Sequence, residues 1–282
     1  MLGDCHIHMA LDGVDYRKAL GAHREHVQDE WVRQCLSAYA MAGIHFLRDG
    51  GDKFGVAARA KELAPEYGIE YRTPLFPICR KGRYGAFIGK AFEEFGEYRA
   101  LVDQVVAGGG DFVKIKISGL IDFDHFGTIT SEPLSRREIF DMIAYAHDRG
   151  MAVMAHANGA QTIRNALDAG VDSVEHGAYM DDDCIAQLAQ SGAVWVPTLV
   201  TIGNLLGCGR YPDAVLSPLL ELQMRAVCEC HRLGGQIAAG SDSGAYRVLH
   251  AQGLLDEIAL LERSGVSQEA LAAAEAIIRR RF

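Results

Sequence analysis

The chain reads as an α/β protein, a single (β/α)8 TIM barrel, on three observations. Eight short apolar runs alternate with eight longer helical patterns along the sequence. Several of those runs finish in a residue able to bind a metal, followed by Gly, Asn or Ser. The 282 residues are 49% hydrophobic and 23% charged, a balance that buries one large core and leaves no linker. One domain spanning 1–282 is expected.

Strands are predicted near 3–8, 44–48, 70–78, 111–117, 151–156, 172–176, 193–199 and 236–241. Helical patterns cover 29–42, 56–66, 91–107, 135–149, 160–169, 181–191, 216–233 and 251–264. Gly43, Gly150, Gly170, Gly192 and Gly235 stand where helices should stop, the usual place of a C-terminal cap. Strands apolar on both faces belong to a buried parallel sheet, where ligands sit at the carboxyl ends. The connection over 118–134 is the longest and is expected on that side, as a flap.

His6 and His8 open the chemistry. Two residues apart on a strand, they share one face about 7 Å apart along the backbone, which is metal-ligand spacing. Met151–Ala155 ends in His156, Val171–Glu175 in His176 and Gln236–Ser241 in Asp242, so all four strand ends point to one site. The fourth strand carries Lys114 and Lys116 on one face, directed into the barrel. A charged lysine there is costly unless paired, and an ammonium offers a metal no lone pair. Desolvation and neighbouring cations favour the neutral amine, which can add carbon dioxide to give a metal-binding carbamate; pairing of one lysine with Asp242 is the alternative.

Composition narrows the function. A net charge of −9 with no basic stripe argues against a nucleic-acid partner. No apolar stretch spans a bilayer and no signal peptide is evident, so no membrane association and a cytoplasmic location are expected. Seven cysteines without paired C-x-x-C spacing indicate reduced, buried small hydrophobes, with Cys79 the one placed near a strand end.

These residues resemble the amidohydrolase superfamily, and within it the branch of imidazolonepropionase-like enzymes and Xaa-Pro dipeptidases. The resemblance rests on Asp4-Cys5-His6-Ile7-His8, Leu47-Arg48-Asp49, Phe112-Val113-Lys114-Ile115, Ala155-His156-Ala157-Asn158-Gly159, Val174-Glu175-His176-Gly177, Val196-Pro197-Thr198-Leu199 and Gly240-Ser241-Asp242-Ser243-Gly244. It implies that His6, His8 and Asp242 hold one divalent ion, His156 and His176 a second, and a carboxylated Lys114 bridges them, with zinc the expected metal in one or two copies. One departure is the accessory β-sandwich of many relatives, for which the sequence shows no segments; a homo-oligomer covering the barrel bottom is left open.

The reaction expected is hydrolysis of an amide-type C–N bond in a small molecule, such as an N-acyl amino acid, a dipeptide or a cyclic amide. Asp242 would move the proton and His176 contact the carbonyl. A lactonase or phosphotriesterase on the same centre is the alternative, and a metal-binding barrel without turnover a third reading. Arg80, Arg83 and Tyr84, in a basic cluster with Lys81, are candidate contacts for a substrate carboxylate. Asn158 and Tyr246 are candidate pocket residues, with Tyr179, Asn204 and Arg247 behind them; His125 is the one flap histidine placed to reach substrate. Asp49 is expected to cap a turn.

Overall fold

The computed structural model describes residues 3–282. Among the described residues ten strands, all paired in parallel, form two sheets. The first has three strands in the order β1 (Asp4–Ile7), β2 (Phe46–Asp49), β3 (Glu70–Arg72). The second runs β10 (Gln236–Ile237), β9 (Val194–Val196), β8 (Ser173–His176), β7 (Val153–Ala157), β6 (Val113–Lys116), β4 (Ile78–Arg80), β5 (Lys90–Phe92).

Backbone hydrogen bonds join the sheets. The Cys5 and His8 amides donate to the Ala239 and Ser243 carbonyls at 2.9 and 2.8 Å, and the Asp242 amide donates to the His6 carbonyl at 2.7 Å. On the other side the Asp111 amide donates to the Thr73 carbonyl at 2.8 Å. The strands β1, β2, β6, β7, β8 and β9 are almost completely buried, as covered parallel strands are.

Eleven α-helices connect and cover the strands: α1 (Tyr16–Ala22), α2 (Asp29–Met41), α3 (Val56–Leu63), α4 (Phe95–Ala107), α5 (Arg136–Asp148), α6 (Ala160–Asp168), α7 (Asp182–Ser191), α8 (Val200–Gly203), α9 (Asp213–Arg232), α10 (Gln252–Arg263) and α11 (Gln268–Arg281). Some of their starts are chemically marked. Ser135 and Glu138 form a reciprocal capping box on α5, and Asp181 caps α7 through the Cys184 amide.

Besides the unpredicted helices α1, α8 and α11, the structure departs from the sequence reading at several points. The predicted strand 70–78 breaks in two, because Pro74 and Pro77 remove ladder donors and Leu75 turns through φ +66°. The start of the predicted helix 91–107 is strand β5, and the helix begins only at the Glu94–Glu97 capping box. After α9 the left-handed residue is Gly234 (φ +88°), not Gly235. Finally, Cys228 is exposed and Cys208 partly so, although all seven cysteines are free as expected.

Helix α11 closes the end of the sheets opposite the strand carboxyl ends. Its Ala274, Ile278 and the following Phe282 pack against Cys5, Phe46, Phe112, Met154, Val194, Val196 and Ala238. The buried Glu275 carboxylate accepts the Gly3 amide at 2.7 Å, and Arg281 donates to the carbonyls of Asp172 and Gly192 at 3.2 and 3.0 Å. No helix among the described residues is long and apolar enough to cross a membrane.

Candidate metal centre

The carboxyl ends of the strands converge on one cavity of about 440 Å³, and the predicted ligands form its floor. One ligand atom from each of His6, His8 and Asp242 lies within 4.8 Å of the others. Asp242 Oδ1 stands 3.5 Å from His6 Nε2 and 3.4 Å from His8 Nε2. The His176 ring lies 5.2 Å from that of His6 and 4.5 Å from that of His156. Lys114 lines the same cavity from β6.

The second nitrogen of each histidine explains its orientation. His6 Nδ1 is 2.8 Å from Glu175 Oε2, His176 Nδ1 is 2.8 Å from Thr198 Oγ1, and His156 Nε2 is 3.0 Å from the Gly119 carbonyl. Such partners leave the opposite nitrogen free for a ligand and fix the ring plane. Behind His8 there is no side chain: a Cβ at Gly50 would collide with the imidazole, so only glycine fits. His176, Thr198 and Asp242 all adopt positive φ (+67°, +51° and +58°). Non-glycine residues in that region cost energy and cluster at functional sites.

Charge in this cavity is governed by burial. Removal from water pushes the His6, His8 and His176 imidazoles well below their ordinary value and His156 down to about 3, helped by Lys114 for His6, by Lys116 and Lys114 for His8 and His156, and by His156 first for His176. Neutral imidazoles are what a cation requires. Burial lowers Lys114 and raises Asp242, and the attraction between the two groups opposes both shifts. His6 Nε2 and Lys114 Nζ are buried without a hydrogen-bond partner among the described residues. Two orphaned nitrogens facing a carboxylate are costly in an empty protein and fit a bound cation with a modified lysine.

Arg48 and Glu175 went unassigned in the sequence reading. Both side chains are fully buried; Arg48 Nη2 donates to Glu175 Oε1 at 2.9 Å, Nη1 to Ser173 Oγ at 2.9 Å and Nε to the Cys5 carbonyl at 2.7 Å. A charged residue of each sign inside strands predicted to be buried was the available signal. Asp49 does terminate a turn, accepting the Gly51 amide, and also accepts the Met9 amide and the Tyr71 hydroxyl.

The other candidates separate. Tyr84 lines the cavity with its ring 5.0 Å from that of His156, and Tyr246 lines it beneath the Arg210 guanidinium. Asn158 lines it too, but its amide is spent on backbone, donating to the Gly119 carbonyl at 3.1 Å and accepting the Ala178 amide at 3.0 Å. Arg80 and Arg83 are not among the lining residues. Arg80 turns away because Glu138 of α5 captures it at 3.0 Å, with the Phe92 ring beneath. His125 is exposed and held by Asp122, while Tyr179 accepts the Gly127 amide and so ties down the 118–134 connection. That connection does reach the cavity, through Leu120, Ile121 and Phe123.

The fold and this ligand geometry define a class. Residues 2–277 match the amidohydrolase family, and the chain belongs to it. An uncharacterized protein of Mycobacterium tuberculosis is 31% identical over 205 residues, covering 70% of this chain and 54% of that protein. The ochratoxinase of Aspergillus niger is 24% identical over 278 residues, covering 86% of this chain and 57% of that enzyme. The chain thus spans little more than half the length of the curated relatives it matches. Among solved structures, a Xaa-Pro dipeptidase superposes with a TM-score of 0.77 at 20% identity, over 99% of this chain and 75% of the other. A putative prolidase from Bifidobacterium longum gives 0.73 at 23% identity, over 99% and 68%. These likenesses are of fold.

Proposed function

We propose that the protein is a metal-dependent hydrolase of amide-type C–N bonds in small molecules, an N-acyl amino acid, dipeptide or cyclic amide. The observation that carries this reading is the convergence of His6, His8 and Asp242 within 4.8 Å at the floor of the cavity. In this reading the two sheets are one closed eight-stranded barrel in a single domain, with β3 and β4 as two halves of one strand and β5 as an added flank. His6, His8 and Asp242 would hold one divalent ion, zinc by the chemistry of imidazole and carboxylate, and His156 and His176 a second. The Lys114 amine would attack carbon dioxide, forming an N–C bond and releasing a proton, and the carbamate oxygens would serve both ions.

When bound, the ions activate water and polarise the scissile carbonyl. The chain's own groups do the rest. Asp242, whose burial raises its proton affinity, accepts the proton of the attacking water and delivers it to the leaving amine. His176, held by Thr198, orients the carbonyl. Leu120, Ile121 and Phe123 exclude bulk water above the bond. The ochratoxinase, dipeptidase and prolidase resemblances support an amide-type bond for this chain as well.

The test is a screen of the zinc- or manganese-loaded protein, with bicarbonate, against N-acyl amino acids, dipeptides, cyclic amides, lactones and phosphotriesters. Chelator-sensitive hydrolysis of amides is expected. Turnover confined to lactones or phosphotriesters, or none by fully metal-loaded protein, would overturn the proposal.

A further inference from the structure

Lys116 follows Lys114 by two residues on β6 and faces the same way, yet it meets different surroundings. Its stem passes directly under Gly85 (φ +120°), where a Cβ would collide with the lysine Cδ. Its ammonium stands 4.4 Å from the centroid of the Tyr84 ring and 5.3 Å from that of Phe87. It is 4% exposed, lines the cavity and makes no hydrogen bond or ion pair among the described residues. Aromatic faces offset part of the loss of water around such a cation. They supply no counter-charge, and the Asp242 carboxylate attracts the ammonium only through space without an ion pair, so an anion arriving in the cavity can pair with it directly.

We propose that Lys116 selects substrates bearing a carboxylate. The ammonium donates to that carboxylate, while the largely apolar wall of Leu11, Ile88, Ile121, Phe123, Leu205 and Tyr211 takes the rest of the molecule. An ammonium free of ion pairs matches a monoanion, and the glycine at 85 leaves room for this side chain under the loop over β6. The inference rests on the hydrolase reading for the bond broken but not for the anion bound, which narrows the substrates to carboxylates such as N-acyl amino acids and dipeptides.

Binding separates the two ideas. Hydrocinnamate and hydrocinnamyl alcohol share a body, differ in the anionic group and contain no bond to hydrolyse. Calorimetry with the zinc-loaded protein should show that Lys116→Met weakens hydrocinnamate about tenfold to a hundredfold more than it weakens the alcohol, with bound metal unchanged. Gly85→Ala, which displaces the lysine stem without removing its charge, should erode the same preference. Equal effects on both ligands, or no effect on hydrocinnamate, overturn the assignment. Lys116-dependent binding in a protein that hydrolyses no amide keeps this inference and removes the proposed reaction; amide hydrolysis with Lys116-independent binding does the reverse.

Discussion

Glu175 sits between two partners of different kinds: its Oε1 takes a hydrogen bond from Arg48 at 2.9 Å while its Oε2 lies 2.8 Å from His6 Nδ1. The arginine holds the carboxylate in place, and the carboxylate aims the imidazole. Arg48 is itself anchored between the Cys5 carbonyl, Ser173 and the Phe282 ring, 4.6 Å away. The geometry at β1 therefore depends on β2 and β8.

Replacing the carboxylate tests that chain of contacts. Glu175→Gln should weaken metal binding about tenfold to a hundredfold, as loss of an orienting partner generally does. Competition with a chromogenic chelator would measure it. Unchanged affinity would mean that His6 needs no partner to face the ion.

Metal content should fall stepwise on truncating the ligands. His6→Ala or His156→Ala is expected to lower the bound ion per chain, read by elemental analysis of dialysed protein. Lys114→Ala should do the same and should also abolish any dependence of occupancy on added bicarbonate. Full occupancy in all three variants would remove these residues from the ligand set.

Asp242→Asn keeps a ligand oxygen but cannot take a proton. With metal retained, kcat should drop about a hundredfold to ten-thousandfold, the scale of a lost general base. Full activity in that variant would assign the proton transfer elsewhere.

Acid should destabilise the fold through His250, whose ring lies 3.0 Å from the Tyr39 hydroxyl and 2.8 Å from the Leu11 carbonyl. Burial lowers it to about 4, against an ordinary 6.5. Between those values the unfolded chain takes up a proton that the native state refuses, so stability is present above 6.5 and is lost as pH falls toward 4. The contribution is on the order of 3 kcal/mol, and His250→Gln should flatten the slope of Tm against pH in that window. An identical slope in the variant would place the acid sensitivity in other groups.

Much of the candidate centre was readable in the sequence because its residues stand at or just after strand ends. His156 and Asp242 follow largely apolar runs, His6 and His8 share a strand face, and parallel strands bring these ends together. What escaped the reading has specific causes. Glu175 hides beside His176 in a strand of four residues, too short to show which face it uses. Arg80 carried the charge expected of a substrate contact, but Glu138, 58 positions later, competes for it and wins. Pro74 and Pro77 marked the break between β3 and β4, and Ser267 before an Ala-rich stretch marked α11, where the reading stopped at α10.

The seam between β1 and the segment after β10 brings together residues far apart in the chain: the Ser241 amide donates to the Asp4 carboxylate across 237 positions. Closing so long a loop is entropically expensive and slow, and the seam offers only a few backbone bonds in return. A cation bridging His6, His8 and Asp242 would act as a clasp across that junction, with its binding energy counted toward folding. Resistance to heat and to proteases near the first strand should then track free metal concentration, so that scarcity of the ion loosens the fold at its own beginning.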